Sequence, residues 1–300
     1  MTSIGFIGIG NMGLPMVSNL LKAGYRVEAY DVRPEAVQAA TGRGATAGSS
    51  AAETAGHAQV LITMLPNSPH VEAAYLEAGG VLEGARRGLV CIDMSTIDPA
   101  TTRRVGERAA AAGVRMLDAP VSGAVPRAID GTLTIMVGGE ADLFEAMRPI
   151  LEAMGKNVIH VWPLGSGEVA KICNNLIAGV SMLAVAEAFT LGIRSGVDPQ
   201  VLYQVISKSS GSCWSMEHNC PVPGIVPRAA ANQSFAAGFM TDLMAKDLSL
   251  ARAAARDLGV SCFTGTLAHE LYSLASLHGL GRKDFSSVIQ LLTASEGGGG

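Results

Sequence analysis

The stretch Gly167-Glu168-Val169-Ala170-Lys171-Ile172-Cys173-Asn174-Asn175 puts a lysine near the start of an apolar run that continues without a proline to about residue 195. Such a run predicts one buried helix of roughly 40 Å at about 1.5 Å per residue. At i and i+4, Lys171 and Asn175 share a face, and Gly167 one turn earlier leaves room for a small molecule. An ammonium and an amide so placed suit proton transfer on a bound molecule. They equally suit an ammonium snorkelling from a helix end beside an asparagine pair that makes structural hydrogen bonds.

A second group lies near the N-terminus, where Ile4-Gly5-Phe6-Ile7 is followed by Gly8-Ile9-Gly10-Asn11-Met12-Gly13, a helical period to Gly24, then Arg26-Val27-Glu28-Ala29-Tyr30 and Asp31. That order is strand, glycine turn, helix, strand, acid. The glycines allow a tight turn and close approach of backbone to a pyrophosphate, whose charge the free N–H groups of the helix start would receive. Asp31, about 20 residues beyond the turn, is placed to accept both ribose hydroxyls and to repel a 2′-phosphate, which predicts NAD rather than NADP. Arg33, two residues later, keeps some NADP use open.

A third group is Asp118-Ala119-Pro120-Val121-Ser122-Gly123, where a strand ends in a hydroxyl and unpaired backbone N–H groups, an arrangement that suits a carboxylate. Arg127 follows a turn later and is read as facing solvent. Two further strand ends belong with these groups. Met64-Leu65-Pro66-Asn67-Ser68-Pro69 predicts Ser68 as helix N-cap and puts Leu65 and Pro66 where the adenosine side of a cofactor passes. Asp93-Met94-Ser95-Thr96-Ile97-Asp98-Pro99 puts the Thr96 hydroxyl near the nicotinamide half.

The elements that must position these groups alternate. Strands are expected at 44–47, 59–64, 89–93, 115–118, 133–137 and 157–161 with helices between, which builds a doubly wound, mostly parallel sheet of Rossmann type. Beyond residue 196 the pattern is helical, over 198–207, 238–258 and 262–277, with Asp198 as N-cap and Pro199 behind it. The expected domains are 1–163 for the cofactor and an all-helical 164–296 for substrate and oligomerisation, with a disordered glycine tail at 297–300.

Composition narrows the partners. The chain has 300 residues, 48% hydrophobic, with a formal charge of -4, and its mean hydropathy is +0.31. That is ample for a large core and gives no electrostatic reason to expect nucleic acid or an anionic membrane. The helical run reads as too interrupted for a membrane span. Five cysteines without a C-x-x-C pair argue against a disulfide framework or a zinc site, and no metal is expected. A strand already under way by Ser3 leaves no room for a targeting segment, so a cytoplasmic location is expected.

Taken together the blocks resemble the β-hydroxyacid dehydrogenases. The resemblance is carried by Phe6 to Met16 with Asn19 and Lys22-Ala23-Gly24, Asp118 to Gly123, the Gly167-x3-Lys171-x2-Asn174-Asn175 motif, and Leu243-Met244-Ala245-Lys246-Asp247-Leu248. Ser209 to Ser215 around Trp214, Pro221 to Gly224, and Lys283 to Ser287 look like the hydroxyisobutyrate branch. Asn174 stands where the 6-phosphogluconate branch would have a histidine. Two departures adjoin the expected carboxylate site: Ala124 replaces a usual second glycine, and Pro126-Arg127 replaces smaller residues.

The resemblance implies a Rossmann domain followed by an all-helical domain hinged on the long helix, a homodimer or homotetramer, and NAD-dependent oxidation of 3-hydroxyisobutyrate to methylmalonate semialdehyde, a step of valine breakdown. L-serine or another small 3-hydroxy acid is the sister substrate. It implies Lys171 as the catalytic acid and base, Asn175 orienting the hydroxyl, Ser122 and Gly123 holding the carboxylate, and Trp214 closing an apolar wall. Gly8, Gly10, Asn11, Met12, Gly13, Asp31, Leu65, Pro66, His70, Thr96 and Lys246 would hold the cofactor. A free lysine, with a pKa of about 10.4, is a poor base at neutral pH. Burial and a positive nicotinamide favour the neutral amine and the substrate carboxylate opposes them, so a working value of about 7 to 8 is expected. A non-catalytic dinucleotide-binding module is the alternative of a different class, and such a module has no need of Lys171 beside Ser122, Gly123 and Asn175.

Overall fold

The computed structural model describes residues 2–236 and 238–293. The expected glycine tail at 297–300 lies outside them. The chain divides into two compact units, Met1–Lys171 and Ile172 onward. The division between these units falls inside the long helix.

The first unit is built on six parallel strands: β1 (Ser3–Ile7), β2 (Arg26–Tyr30), β3 (Thr46–Ala47), β4 (Val60–Thr63), β5 (Val90–Asp93) and β6 (Arg115–Asp118). Their order is β3-β2-β1-β4-β5-β6. β1 pairs with β2 on one side (Phe6 opposite Ala29) and with β4 on the other (Phe6 opposite Ile62), so the winding reverses between β1 and β4. Ligands of such sheets bind outside the carboxyl ends of strands at that reversal. The central strands β1, β4 and β5 are largely apolar and buried because both faces are covered. Ile4, Phe6, Ile62 and Ile92 enter one core with Met16 and Leu20. Ile7, Leu61 and Cys91 enter another with Val71, Tyr75 and Val105.

One expectation is corrected here. The strand and helix alternation does not extend the same sheet beyond β6. β7 (Val121–Ser122), β8 (Leu133–Val137) and β9 (Gly155–His160) form a separate three-stranded sheet in which β7 and β8 are antiparallel and β8 and β9 parallel. β7 follows β6 after only Ala119 and Pro120, and a parallel neighbour needs a crossover of a dozen or more residues.

Helix Ser166–Arg194 is a single element of 29 residues, as the absence of proline predicts. The reading of it as too interrupted for a membrane span does not hold. An 18-residue window reaches a mean hydropathy of 1.9, so by length and composition it could cross one, and only 33% of that window is buried within the chain. Most of its polar residues cluster in its first turns, with Ser181, Glu187 and Thr190 the exceptions before Arg194.

The second unit is helical among its described residues, with Pro199–Ser207, Thr241–Asp257 and Phe263–Ala275 as expected within a few residues. Asp198 caps the first of these by accepting the N–H groups of Gln200 (2.9 Å) and Val201 (3.1 Å). Met182, Met244, Leu248, Tyr272 and Phe285 form its core. Gly179 lets two helices meet closely, since a Cβ there would lie 2.9 Å from the Met244 sulfur. Near the end of the chain the buried Asp284 accepts from Asn219 Nδ2 (2.9 Å), Phe239 N–H (3.0 Å), Ser286 N–H (3.0 Å) and Ser286 Oγ (2.6 Å). The Lys283-to-Ser287 motif is thus a structural hub.

Candidate functional site

The glycine turn fits a dinucleotide in detail. Gly8 has φ +97°, and a Cβ on it would lie 2.3 Å from the Met64 carbonyl oxygen; a Cβ on Gly13 would lie 2.0 Å from the Gly8 carbonyl oxygen. Both glycines are therefore fixed by packing of the turn on β4 and of the helix on the turn. A Cβ at Gly10 would meet nothing within 4 Å, so it would project into open space where a pyrophosphate can approach backbone. Helix Gly13–Lys22 begins at Met12 with no side-chain cap. Asp31, at the end of β2, accepts the Ile9 N–H (2.7 Å) and so ties the turn to the acid.

Arg33 sits on that acid. Its Nε and NH2 lie 3.1 and 3.3 Å from the two Asp31 oxygens, and its own N–H donates to the carboxylate as well. Burial alone would raise the Asp31 pKa, but the Arg33 and Ile9 hydrogen bonds outweigh it and hold the carboxyl below its usual range. The arginine, half exposed at 54%, must turn aside before ribose hydroxyls can take both oxygens.

The loops after β4 and β5 are joined through side chains. Leu65 N–H donates to Ser95 Oγ (2.8 Å), whose hydroxyl donates to Asp93 (2.6 Å). Thr63 donates to the same Asp93 oxygen (2.8 Å). Asp93 is fully buried, and burial raises its pKa against those hydrogen bonds. Thr96 is half-buried on the second loop. Ser68 is not the helix cap: Asn67 is, accepting the His70 N–H, because Asn67 has the extended backbone of a cap and its side chain is the right length. His70 is exposed with its ring Nδ1 on the same Asn67 oxygen. Asp98 caps the helix after β5, as its place before Pro99 predicts.

At the third group β7 carries Ser122, half-buried, and Gly123 follows with φ +138°. Its missing Cβ is filled by Arg127, whose Cδ would be 2.6 Å away. Arg127 itself is exposed. Ala124 has φ +54°, a left-handed conformation that a glycine would take without strain. The departure from a second glycine therefore leaves the turn geometry in place.

Lys171 is only 5% exposed. The space beside Gly167, four residues earlier, is not open to a ligand. A Cβ there would meet the Met136 carbonyl oxygen at 2.3 Å and Asp118 Oδ2 at 2.8 Å, so the glycine makes room for protein. That carboxylate, at the end of β6, accepts the N–H groups of Gly165 (2.7 Å) and Glu168 (2.9 Å). Burial pushes Asp118 up to about 6 in spite of these bonds. Glu168, fully buried, accepts the Ile97 N–H at 3.2 Å. The sequence reading gave no role to Asp118, Glu168 or Asp93. The signal was there: carboxylates at the ends of apolar strands and inside an apolar helix.

In the second unit Asn175 is 5% exposed. Its Nδ2 donates to Asp247 (2.5 Å) and its oxygen accepts from Asn174 Nδ2 (3.0 Å). Lys246 pairs with the other Asp247 oxygen at 3.2 Å and is a quarter exposed, rather than the freely exposed charge that spacing alone suggests. Trp214 is 53% exposed at the start of helix Trp214–Asn219. Among the described residues no group of three His, Cys, Asp or Glu side chains is arranged to hold a metal.

Known proteins match nearly the whole chain. Residues 3–162 match the family model for the NAD binding domain of 6-phosphogluconate dehydrogenase. Residues 165–292 match that for the NAD-binding region of NADP-dependent 3-hydroxyisobutyrate dehydrogenase. The chain is 47% identical to a 3-hydroxyisobutyrate dehydrogenase of Pseudomonas aeruginosa, over 97% of this chain and 98% of that one. It is 44% identical to an NAD-dependent L-serine dehydrogenase of the same organism, over 99% and 100%. A solved structure of a Mycobacterium tuberculosis 3-hydroxyisobutyrate dehydrogenase with L-serine superposes with a TM-score of 0.93 at 42% identity, covering 97% of this chain and 99% of that one.

Proposed function

Since the chain belongs to the β-hydroxyacid dehydrogenase family, in its 3-hydroxyisobutyrate dehydrogenase branch, we propose that it oxidises the primary alcohol of 3-hydroxyisobutyrate to methylmalonate semialdehyde with NAD. The observation that carries this reading is a buried lysine, Lys171, on a helix whose first turn is tied to the loop of Thr96 and to the end of β6 just before Ser122 and Gly123. NAD, when bound, supplies the hydride acceptor. The open side of Gly10, the uncapped helix start and Asp31 fit it. Gly8, Asn11, Met12, Gly13, Leu65, Pro66 and Thr96 complete its cradle, with His70 and Lys246 included on the family resemblance.

In the forward direction neutral Lys171 takes the hydroxyl proton as the carbonyl forms; in reduction the ammonium returns it. Ser122 and the Gly123 backbone bind the carboxylate, Asn175 orients the hydroxyl with its amide fixed by Asp247, and Trp214 covers the methyl group. We further infer a homo-oligomer. The long helix leaves Ile177 and Leu191 exposed at 69% and 70%, and Phe263, Leu267 and Leu277 are exposed on the same unit. The five thiols are free, which supports a reducing compartment such as the cytoplasm.

L-serine is the second reading, favoured by the serine dehydrogenase relative and by the ligand in the related solved structure. NADH formation across 3-hydroxyisobutyrate, 3-hydroxypropionate, serine and glycerate separates the two. For the chemistry itself, Lys171→Ala should lower kcat by roughly 10² to 10⁴ with NAD binding intact. Lys171→Arg should fail almost as badly, because guanidinium stays charged. Full kcat in the alanine variant would take the acid and base role away from Lys171, and no NADH formation with any of these acids would favour a dinucleotide-binding module.

A further inference from the structure

Two buried carboxylates, Asp118 and Glu168, stand among the segments that carry the proposed chemistry, and no step of that chemistry uses either. Asp118 accepts two N–H groups at the start of the long helix, from Gly165 at 2.7 Å and Glu168 at 2.9 Å. An α-helix leaves such first-turn donors without intrahelical partners, and a carboxylate is the best acceptor for them. The chain clears space for it on two sides, since a Cβ on Gly138 would fall 2.2 Å from one oxygen and a Cβ on Gly167 2.8 Å from the other. From the turn so anchored, Glu168 sends an oxygen 3.2 Å to the N–H of Ile97, the residue after Thr96. Glu168 and Lys171, at i and i+3, lie on one face of the helix, and both are buried.

We propose that Glu168, seated by Asp118, is a positioning residue for Lys171: its hydrogen bond to the Ile97 amide fixes the first helical turn against the Thr96 loop and so sets where the lysine nitrogen stands. The proposal rests on Lys171 being the proton carrier. Burying a carboxylate for structure alone is costly where an apolar side chain would pack as well, and removing its hydrogen bond would leave a buried N–H unsatisfied. A displacement of about 1 Å at the lysine is enough to cost on the order of 10²-fold in rate. Glu168 touches neither the substrate nor the cofactor in this scheme and acts only through the lysine.

The experiment uses the full chain with kcat, KM, the dissociation constant for NAD and the melting temperature measured for each variant. Glu168→Gln keeps an oxygen for the Ile97 amide and should hold kcat within about threefold. Glu168→Met fills the same volume without that acceptor, and Glu168→Asp keeps the charge one methylene short. Both should lower kcat on the order of 10-fold to 10²-fold, with KM and NAD affinity within about threefold. If the methionine variant does not fold, the aspartate variant carries the same expectation. In a Lys171→Ala background the Glu168 substitution should cost no further kcat, because the residue it positions is gone. The proposal is overturned if either shortened or apolar variant keeps parental kcat, if the glutamine variant fails like the methionine one, or if the losses multiply in the double variant. A Lys171→Ala enzyme with full kcat would instead remove the underlying reading, an outcome visible before any Glu168 variant is made.

Discussion

Asp118→Asn should make the chain's stability less sensitive to pH, by an amount that the burial of this carboxyl sets. The group titrates near 6 in the folded chain against 3.8 for an unperturbed carboxyl, a difference of about 2 units, or about 3 kcal/mol between the two protonation states. The sign follows from the raised value. Below about 3.8 the group is protonated folded and unfolded alike and imposes nothing. As pH rises from there through about 6 the unfolded chain ionises first, so stability is progressively lost, and above about 6 the whole of it is gone. Asparagine does not titrate. Whatever fixed effect its amide has on facing the Gly165 or Glu168 N–H, the gap between variant and parent should move by about 2 kcal/mol in favour of the variant between about pH 4.5 and 7.5. Urea unfolding of both proteins across that range measures it. The carboxyl ¹³C resonance present in the parent and missing from the variant should titrate near 6. Parallel stability curves, or a midpoint near 3.8, would refute the claim that burial outweighs the two hydrogen bonds.

Three further outcomes follow from the geometry. NAD should be preferred over NADP by at least tenfold in kcat/KM, about 1.4 kcal/mol, and Asp31→Ser should shrink that gap; equal use of both cofactors by the parent would remove Asp31 from its role. Esters or amides of the substrate should be turned over poorly, with the loss mainly in KM, because Ser122 and Gly123 are assigned to an anion; a methyl ester used as efficiently as the acid would place the carboxylate pocket elsewhere. Gly13→Ala should weaken NAD binding by tenfold or more in titration calorimetry, since its methyl would stand 2.0 Å from the Gly8 carbonyl and must push turn and helix apart; unchanged affinity would mean that the turn does not cradle the cofactor.

What could be read in the sequence was local. The glycine turn, the acid after β2 and the caps at Asp98 and Asp198 each depend on residues within a turn or one βαβ unit, and spacing alone places them. The shared helix face of Lys171 and Asn175 was legible for the same reason. What escaped depends on distant partners. Asp118 is bonded to groups 47 and 50 residues away, and Glu168 to one 71 residues away, so neither leaves a periodic trace. β7 has two residues, too few for any alternation to show. Gly167 illustrates the limit from the other side: a small residue signals close approach, but only the fold says that what approaches is the Asp118 carboxylate.

The hub at Asp284 also bears on how this chain is made. Every strand of both sheets is complete by His160, so the first unit can assemble while the rest is still being synthesised, as N-terminal domains do at about 5–20 residues per second. The second unit has no such freedom. Asn219 and Phe239 are bonded to Asp284, and Thr241 to Lys283, residues that leave the ribosome tens of residues after the helices they close. Until then the apolar faces of those helices stand open in a nascent chain, and the interval before residue 284 emerges is when a chaperone or a second nascent copy has most surface to bind.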